Sequence, residues 1–481
     1  MRESRFANAS VALALILSGC GGGDSGGGTT ATTPTSTTTT TSSGNTCSLV
    51  DRQNWAFSVL NEWYLFPETL PASLNPAPYA TVTDYIDALT ATARGQNRDR
   101  YFTYLTSIAQ ENAFFSSGSS AGFGFRIAND ATARRSFIME AFEGTSALAA
   151  GVDRGDEILA IGDTASTLRN VTDIIAAEGT AGVTNALGPS TAGVTRSLRL
   201  TGTAGTRTVT ISKTDYTLTP VSARYGAQVI TDGALRVGYV NLRTFISTAD
   251  PALRTAFDGF RAQGITSFIV DFRYNGGGLV STAELMGDLL GGNRTTSQVF
   301  SQTTFRTSKS AENTTRRFAP ASQSVSPVKV AFIGTGSTAS ASELVINSFI
   351  PYLGTNMALV GTNTYGKPVG QIALDRSQCD DRMRVVAFST RNSANSDSYF
   401  NGLASTVPVT CRATDDFTRP LGNAQEASTR AALDFLQGRS CTAISSTGQA
   451  SQASRSVASR PLELLTPLAP TPVQREVPGV F

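Results

Sequence analysis

Histidine is absent from all 481 residues. Without an imidazole, no Ser-His-Asp or Cys-His relay can operate, and no histidine-based zinc site can form. Charge is thin as well: 16% of residues are charged and the formal net charge is +2. Such a chain has no basic field with which to hold a nucleic acid. Cysteine is scarce, five residues with no CxxC pair among them, which argues against a thiolate metal site. The N-terminal apolar run, Val11 to Leu17, is too short to span a bilayer. No cofactor or metal is therefore expected.

Two stretches carry chemistry. Val328 to Ile333 reads as a short buried strand, followed by the turn Gly334-Thr335-Gly336 and by Ser337-Thr338-Ala339-Ser340-Ala341-Ser342-Glu343. Leu344, Val345, Ile346, Phe349 and Ile350 then mark a helical stripe. A strand, a tight turn and a helix start made of Ser and Ala can present a nucleophile to a close-lying substrate backbone. Taken alone, the same residues read more readily as a helix cap. The second stretch runs from Ala358 to Gln371, a short strand ending in a Gly-, Thr- and Asn-rich loop with one lysine, Lys367. In a chain without histidine, a serine nucleophile needs another base, and a neutral lysine is the main alternative.

Together these stretches resemble the carboxyl-terminal processing proteases, the tail-specific, PDZ-containing serine proteases of family S41. That family carries its nucleophile in a SASASE-type segment and its base in a TFGKGxxQ-type segment. The matching residues are Ser-Thr-Ala-Ser340-Ala-Ser342-Glu and Thr-Tyr-Gly-Lys367-Pro-Val-Gly-Gln371. The resemblance implies Ser340 as nucleophile, with Ser342 as the alternative, Lys367 as base and Gln371 as the residue that orients it. Arg273-Tyr-Asn-Gly276-Gly277-Gly278-Leu279 resembles the family's DLRxNPGG segment. The resemblance makes the N–H groups of Gly277 and Ala341 the oxyanion donors, with Gly278 close behind Gly277. Three departures stand out: Pro368 follows the lysine where the family has glycine, Gly276 stands where it has proline, and the Ser–Lys spacing is slightly longer. The extra length is expected between Pro351 and Asn356. An alternative use of these glycines is a plain helix-capping turn.

The resemblance implies an α/β multidomain chain. Its core would be a ClpP/crotonase-like serine protease domain of ββα units over 215–442, with an inserted PDZ domain at 118–214 and a helical N-terminal region at 47–117. Asp51 to Ser117 reads as helical, since Trp55, Val59 and Trp63 recur at intervals of four. The Asp99 to Leu105 segment is expected to be a leader with no catalytic part. Gly122-Phe123-Gly124-Phe125 would offer backbone N–H groups to a peptide's terminal carboxylate, and the adjoining strand edge would pair with that peptide. Residues 179–195 are expected to loop out of the PDZ domain. Beyond these, Leu253, Ala256, Phe257 and Phe260 share a helix face behind Pro251, and 265–272 reads as a buried strand.

At the start, Arg2 and Arg5 precede the apolar run, which closes on Leu17-Ser-Gly-Cys20. Residues 1–20 read as a signal peptide, and Leu-Ser-Gly-Cys resembles a bacterial lipobox. Cys20 would then be the lipidated mature N-terminus, on a bacterial cell envelope protein facing the periplasm or cell surface. Residues 21–46 are rich in Gly, Ser and Thr and read as a flexible tether. The Ser/Pro-rich tail, 443–481, is expected to lie loosely on the surface. Four cysteines remain for an exported body, and they allow three pairings. The expected pairs are Cys379–Cys411 and Cys47–Cys441.

The implied activity is a serine endopeptidase whose partners are protein or peptide substrates with free C-termini. Membrane contact would come through the lipid anchor only, and homo-oligomerisation is left open. The scheme needs a neutral lysine. Moving its pKa from about 10.4 to about 7–8 costs roughly 3–5 kcal/mol, which burial can supply. Tyr365 and Val369 are candidate walls of that pocket. Two rivals stand beside this reading: a catalytically idle PDZ-containing lipoprotein that only binds peptides, and an esterase or amidase on the same Ser–Lys pair.

Overall fold

Alternation along four successive strands builds the sheet that carries the site. Phe268 and Val270 face one side with Val330 and Phe332, while Ile269, Ala331 and Ile333 face the other. Each strand is thus apolar on both faces, as a sheet covered on both sides requires. The structure, a computed structural model, describes residues 47–445 and 462–481. The expected signal peptide, Cys20 and the whole of the expected tether lie outside the described residues.

The sheet has six strands in the order Gln228–Asp232, Leu235–Asn241, Ser267–Asp271, Lys329–Gly334, Met357–Gly361 and Thr410–Arg412. The first two form an antiparallel hairpin and the remaining neighbours are parallel. Helices Ala249–Ala262, Val280–Leu290 and Ala341–Leu353 cover one face through Phe257, Met286 and Val345. Helix Ala427–Leu436 covers the other through Ala432 and Leu433.

A second, five-stranded sheet is centred on the long strand Asp381–Arg391. Val369–Arg376 pairs along one edge of it, while Tyr104–Ser107 and Val299–Phe305 share the other. The N-terminal region packs here: Leu60, Tyr64, Ile86 and Leu89 bury against Met383 and Val386. It is not uniformly helical as the periodicity suggests. Between helices Leu49–Trp63, Val82–Leu89 and Ile108–Ser117, the stretch Tyr104–Ser107 is drawn into the sheet as an edge strand.

A β-rich body is inserted between strands Ser119–Gly122 and Thr214–Thr217, which pair antiparallel at its neck. Its seven-stranded sheet wraps helix Val171–Leu187 over a core of Ile127, Ile158, Leu198 and Leu200. The loop expected from residue 179 is helix as far as Leu187. Gly179, at φ +68°, makes a kink, and beyond it Val183 and Leu187 return to the core.

Two further expectations are corrected. The disulfides are Cys47–Cys379 and Cys411–Cys441. Arg52, in the first turns of the leading helix, forks onto Asp381 at 2.6 and 2.5 Å, which sets Cys47 beside the hairpin turn holding Cys379. Cys411 lies on the edge strand Thr410–Arg412, and the chain leaving helix Ala427–Leu436 returns there through Arg412 N–H to Thr442 O at 2.7 Å. Nor is the end of the tail loose. Glu463–Leu464 joins the inserted sheet, Pro472–Glu476 is a helical turn, and Val473, Val477, Val480 and Phe481 are buried.

The Cys47–Cys379 bond closes a separation of 332 residues against 30 for the other. Replacing Cys47 and Cys379 by Ser is expected to cost about 2–4 kcal/mol, more than the Cys411/Cys441 double replacement. Thermal unfolding of both variants, with peptide mapping under non-reducing conditions, checks this. A map linking Cys379 to Cys411 would overturn the pairing.

Candidate active site

Strand Lys329–Gly334 ends in a turn that delivers Ser340 to the start of helix Ala341–Leu353. Thr338 shapes the turn: its hydroxyl donates to Phe272 O at 2.9 Å and accepts the Thr335 N–H at 2.9 Å. Ser340 itself sits at φ +54°, ψ −116°, a conformation that costs a non-glycine residue about 1–3 kcal/mol and is found where structure holds it for function. Its side chain is half-exposed. Ser342, one turn-step on, is fully buried and donates to Asn275 O at 3.2 Å. The strained, accessible position is therefore Ser340, and Ser342 is a structural residue.

The glycine loop lies directly against this turn. Asn275 ties it down, with Nδ2 donating to Leu242 O at 2.8 Å and its carbonyl accepting the Ala339 N–H at 3.1 Å. Gly277 has φ +124°, and a Cβ placed there would stand 2.7 Å from Ser340 Cβ. Only glycine lets the two backbones touch. The Gly277 N–H, expected to face an oxyanion, is instead donated to Asn275 Oδ1 at 2.9 Å. Among the described residues, the N–H groups of Gly278 and Ala341 make no intramolecular hydrogen bond.

Lys367 comes from the loop after Met357–Gly361. Its Nζ donates to Gln371 Oε1 at 2.9 Å, and Gln371 Nε2 in turn donates to Phe102 O. The Phe102 ring lies 4.9 Å from Nζ, and Tyr365 packs beside it. Lys367 is 9% exposed. Burial lowers its pKa from the ordinary lysine value, opposed by the charges of Glu476 and Asp99 and reinforced by Arg384 and Arg475. The Asp99 to Thr103 segment, read from sequence as a non-catalytic leader, thus walls the lysine. Asp99 accepts N–H bonds from Phe102 and Thr103, and Arg100 reaches Tyr365 O and Gly366 O at 2.5 and 2.7 Å. Pro368 needs no N–H donor where it stands, and its carbonyl accepts the Thr390 N–H at 2.9 Å.

One carboxylate joins the serine turn to the lysine loop. Glu343 Oε2 accepts the N–H groups of Ser340 (3.1 Å) and Lys367 (2.7 Å). Its Oε1 accepts the Gly366 N–H (2.7 Å) and the Thr364 hydroxyl (2.6 Å). The group is fully buried. Burial pushes its pKa up to about 7, against the pull of those donors. Because all four partners donate, the arrangement suits the ionised form. Sequence reading took Glu343 only as a motif letter; its place three residues after a helix-start serine was the available signal.

Gly122, Phe123, Gly124 and Phe125 form the other expected site, at the inserted body's sheet edge. There the N–H groups of Gly124 (3.0 Å) and Phe125 (3.4 Å) donate to the backbone oxygen of the chain's own Phe481.

Residues 236–404 match the family model of peptidase family S41. No curated protein matches the chain. Among solved structures, one assigned as an S41 protease from Bacteroides fragilis is 21% identical, covers 80% of this chain and 97% of its own, and superposes with a TM-score of 0.61. That likeness gives the fold. The photosystem II D1 C-terminal processing protease is 21% identical over 75% of this chain and 92% of its own, TM-score 0.45. Mature CPAF in complex with lactacystin is 11% identical over 81% and 96%, TM-score 0.45.

Two substitutions test the geometry. Gly277→Ala sets a methyl group against Ser340 at a φ that disfavours any side chain, and is expected to lower kcat of any reaction at that serine by about 10²-fold or more. Glu343→Gln places an amide against N–H donors and is expected to abolish turnover, with a loss of about 3 kcal/mol in stability. Steady-state kinetics and thermal melts read both; a Glu343→Gln enzyme of normal activity would remove the carboxylate from the site.

Proposed function

We propose that this chain, a peptidase of family S41 over residues 236–404, is a serine endopeptidase of the carboxyl-terminal processing type. The observation that carries the reading is the shared carboxylate: Glu343 holds the backbone of the strained Ser340 and of the buried Lys367 at once. With no histidine in the chain, Lys367 is the base best suited to activate that serine.

In this reading, neutral Lys367 Nζ takes the Ser340 hydroxyl proton as Oγ bonds to the scissile carbonyl carbon. The free N–H groups of Ala341 and Gly278 stabilise the oxyanion that forms. The C–N bond then breaks, and the lysine ammonium passes its proton to the leaving amine. Water, deprotonated by the same lysine, hydrolyses the acyl-enzyme ester and restores Ser340. Gln371 orients Lys367 through its 2.9 Å hydrogen bond. The inserted body acts as a PDZ domain that captures substrate C-termini on the Gly122–Phe125 loop. Cys20 anchors the mature chain by lipid to the cell envelope, where exported proteins are its substrates. Among the described residues no helix is long and apolar enough to cross a membrane.

The test incubates the mature protein and its Ser340→Ala variant with an unfolded protein ending in apolar residues, and follows fragments by mass spectrometry. Cleavage by the first alone is expected. Cleavage by both removes the role from Ser340, whereas binding without cleavage by either would make the protein an idle peptide binder. Small esters run in parallel separate a peptidase from an esterase.

The lysine predicts the pH profile. A base acts only when neutral, so kcat/KM should rise with pH. Since burial lowers the Lys367 pKa, the midpoint of that rise should fall below the ordinary lysine value of 10.5. A rise that persists in Lys367→Arg would assign the base elsewhere.

A further inference from the structure

The last five residues of the chain lie where a captured peptide would lie. The Phe481 backbone oxygen accepts the Gly124 and Phe125 N–H groups. The Phe481 N–H returns to Phe125 O at 3.0 Å, and the Ile127 N–H reaches Gly479 O at 2.9 Å. This is antiparallel strand addition to the first half of the Phe125–Asp130 edge, whose second half pairs with Glu463–Leu464. The Phe481 ring is 2% exposed, packed in the cluster of Phe123, Phe125, Ile127 and Leu187. Gly122 lets the two backbones approach, since a Cβ there would stand 2.8 Å from the Phe481 carbonyl carbon.

The same tail also reaches the catalytic loop. The Gly276 N–H donates to Glu476 O at 2.9 Å, and a Cβ on Gly276 would meet Arg475 O at 2.7 Å. Arg126, fully buried on the groove strand, donates to Pro478 O at 2.6 Å and to Tyr274 O at 3.0 Å. Tail, groove and glycine loop are thus joined within six residues, Glu476 to Phe481. Val473, Val477 and Val480 fill the space between them against Phe114, Phe142 and Leu218.

We propose that the C-terminal segment is a built-in ligand of the inserted body: the chain's own Val-Pro-Gly-Val-Phe end occupies the groove, and chains ending in a free apolar carboxylate compete with it for that place. The inference deepens the reading of residues 118–214 as a reader of C-termini, and its core needs no turnover. The groove's ligand class follows from its occupant. It takes an aromatic or large apolar side chain and an extended backbone over three residues, to which the reading of this body as a reader of C-termini adds the free α-carboxylate. While the tail is bound, its backbone also covers the loop beside Ser340. Displacement would therefore free the groove and the approach to the serine together.

The test measures binding, separately from catalysis. The probe is a fluorescein-labelled decapeptide of residues 472–481, as the free acid and as the C-terminal amide. The proteins are the mature chain, the same chain extended by Gly-Ser-Gly-Ser after Phe481, and Phe481→Asp. The extension keeps every residue through Phe481 but sets four more after it, so that no free carboxylate can stand at Gly124 and Phe125; thermal melts report folding of each protein. Fluorescence anisotropy should give at least about tenfold tighter binding of the acid peptide to both altered chains, because the resident ligand lowers the fraction of open grooves. The amide should bind none of them comparably. Equal binding of the acid peptide to all three folded proteins, or equal binding of acid and amide, would overturn the proposal. Protein cleavage assayed alongside is expected to rise in the extended chain. Tighter binding with no cleavage by any of the three would uphold the built-in ligand and sink the peptidase reading instead.

Discussion

A single buried carboxylate holds this site in register. Glu343 stands fully buried in the first turn of its helix, and only the donors around it make its charge tolerable there. Those donors come from two separate loops that leave neighbouring strands of the parallel sheet, the one that ends at Ser340 and the one that ends at Lys367. Neither loop has regular structure to fix it. Each is instead fixed by what it gives to the same pair of oxygens, so a movement of one would strand a charge that the other needs. The positive φ of Ser340 fits the same account, because the Ser340 N–H reaches Oε2 in that conformation.

A second buried charge cluster couples the inserted body to the catalytic sheet. Arg273 forks onto Glu426 at 2.9 Å and pairs with Asp271, all fully buried. Asp415 joins it from one side, and Arg154 of the inserted body reaches Asp415 at 2.7 Å from the other. The two arginines hold the Asp415 carboxyl at about 2 despite its burial. Tyr274 lies between them, at φ +65° and hydrogen-bonded to Asp415. Such clusters contribute little net stability relative to an apolar core, but breaking one partner is costly. They therefore specify where the inserted body sits on the glycine loop rather than how strongly the chain folds.

How much of this could be read beforehand depended on how local the physics was. Ser340, Lys367 and Gln371 sit in short contiguous stretches whose residue types already imply a turn and a base, and the alternation of 265–272 and 328–333 marked the central strands. The lysine's surroundings were not local. Phe102, whose ring and carbonyl wall Lys367 and Gln371, comes from 265 positions earlier, and no pattern in its own segment announces it. The cysteines failed for the same reason. Which of them meet depends on Arg52 finding Asp381 across the chain. Residue 179 failed differently, since a glycine inside an apolar helical pattern reads as a breaker and here only kinks the helix. The tail was misjudged by composition: its Pro, Thr and Ala content hid the spacing of Val473, Val477 and Val480, whose common face is what buries it.

The tail also bears on the lysine's charge. Glu476 is buried beside Lys367, and its carboxylate is the largest influence working against the burial that lowers the lysine's pKa. Burial raises the Glu476 pKa in turn, with Lys367 foremost among the groups opposing it. A carboxylate placed there favours the ammonium form, the form that cannot accept the serine proton. Withdrawing it would remove a charge from the pocket, leave the Phe102 wall in place, and return the Gly276 N–H to the cleft. The glycine at 276 is the residue this contact demands, because a proline would have no N–H to give and any Cβ would strike the Arg475 carbonyl. Occupation of this place by the tail and the lowering of the lysine's pKa by burial therefore act against each other within one set of contacts, and burial is the larger of the two.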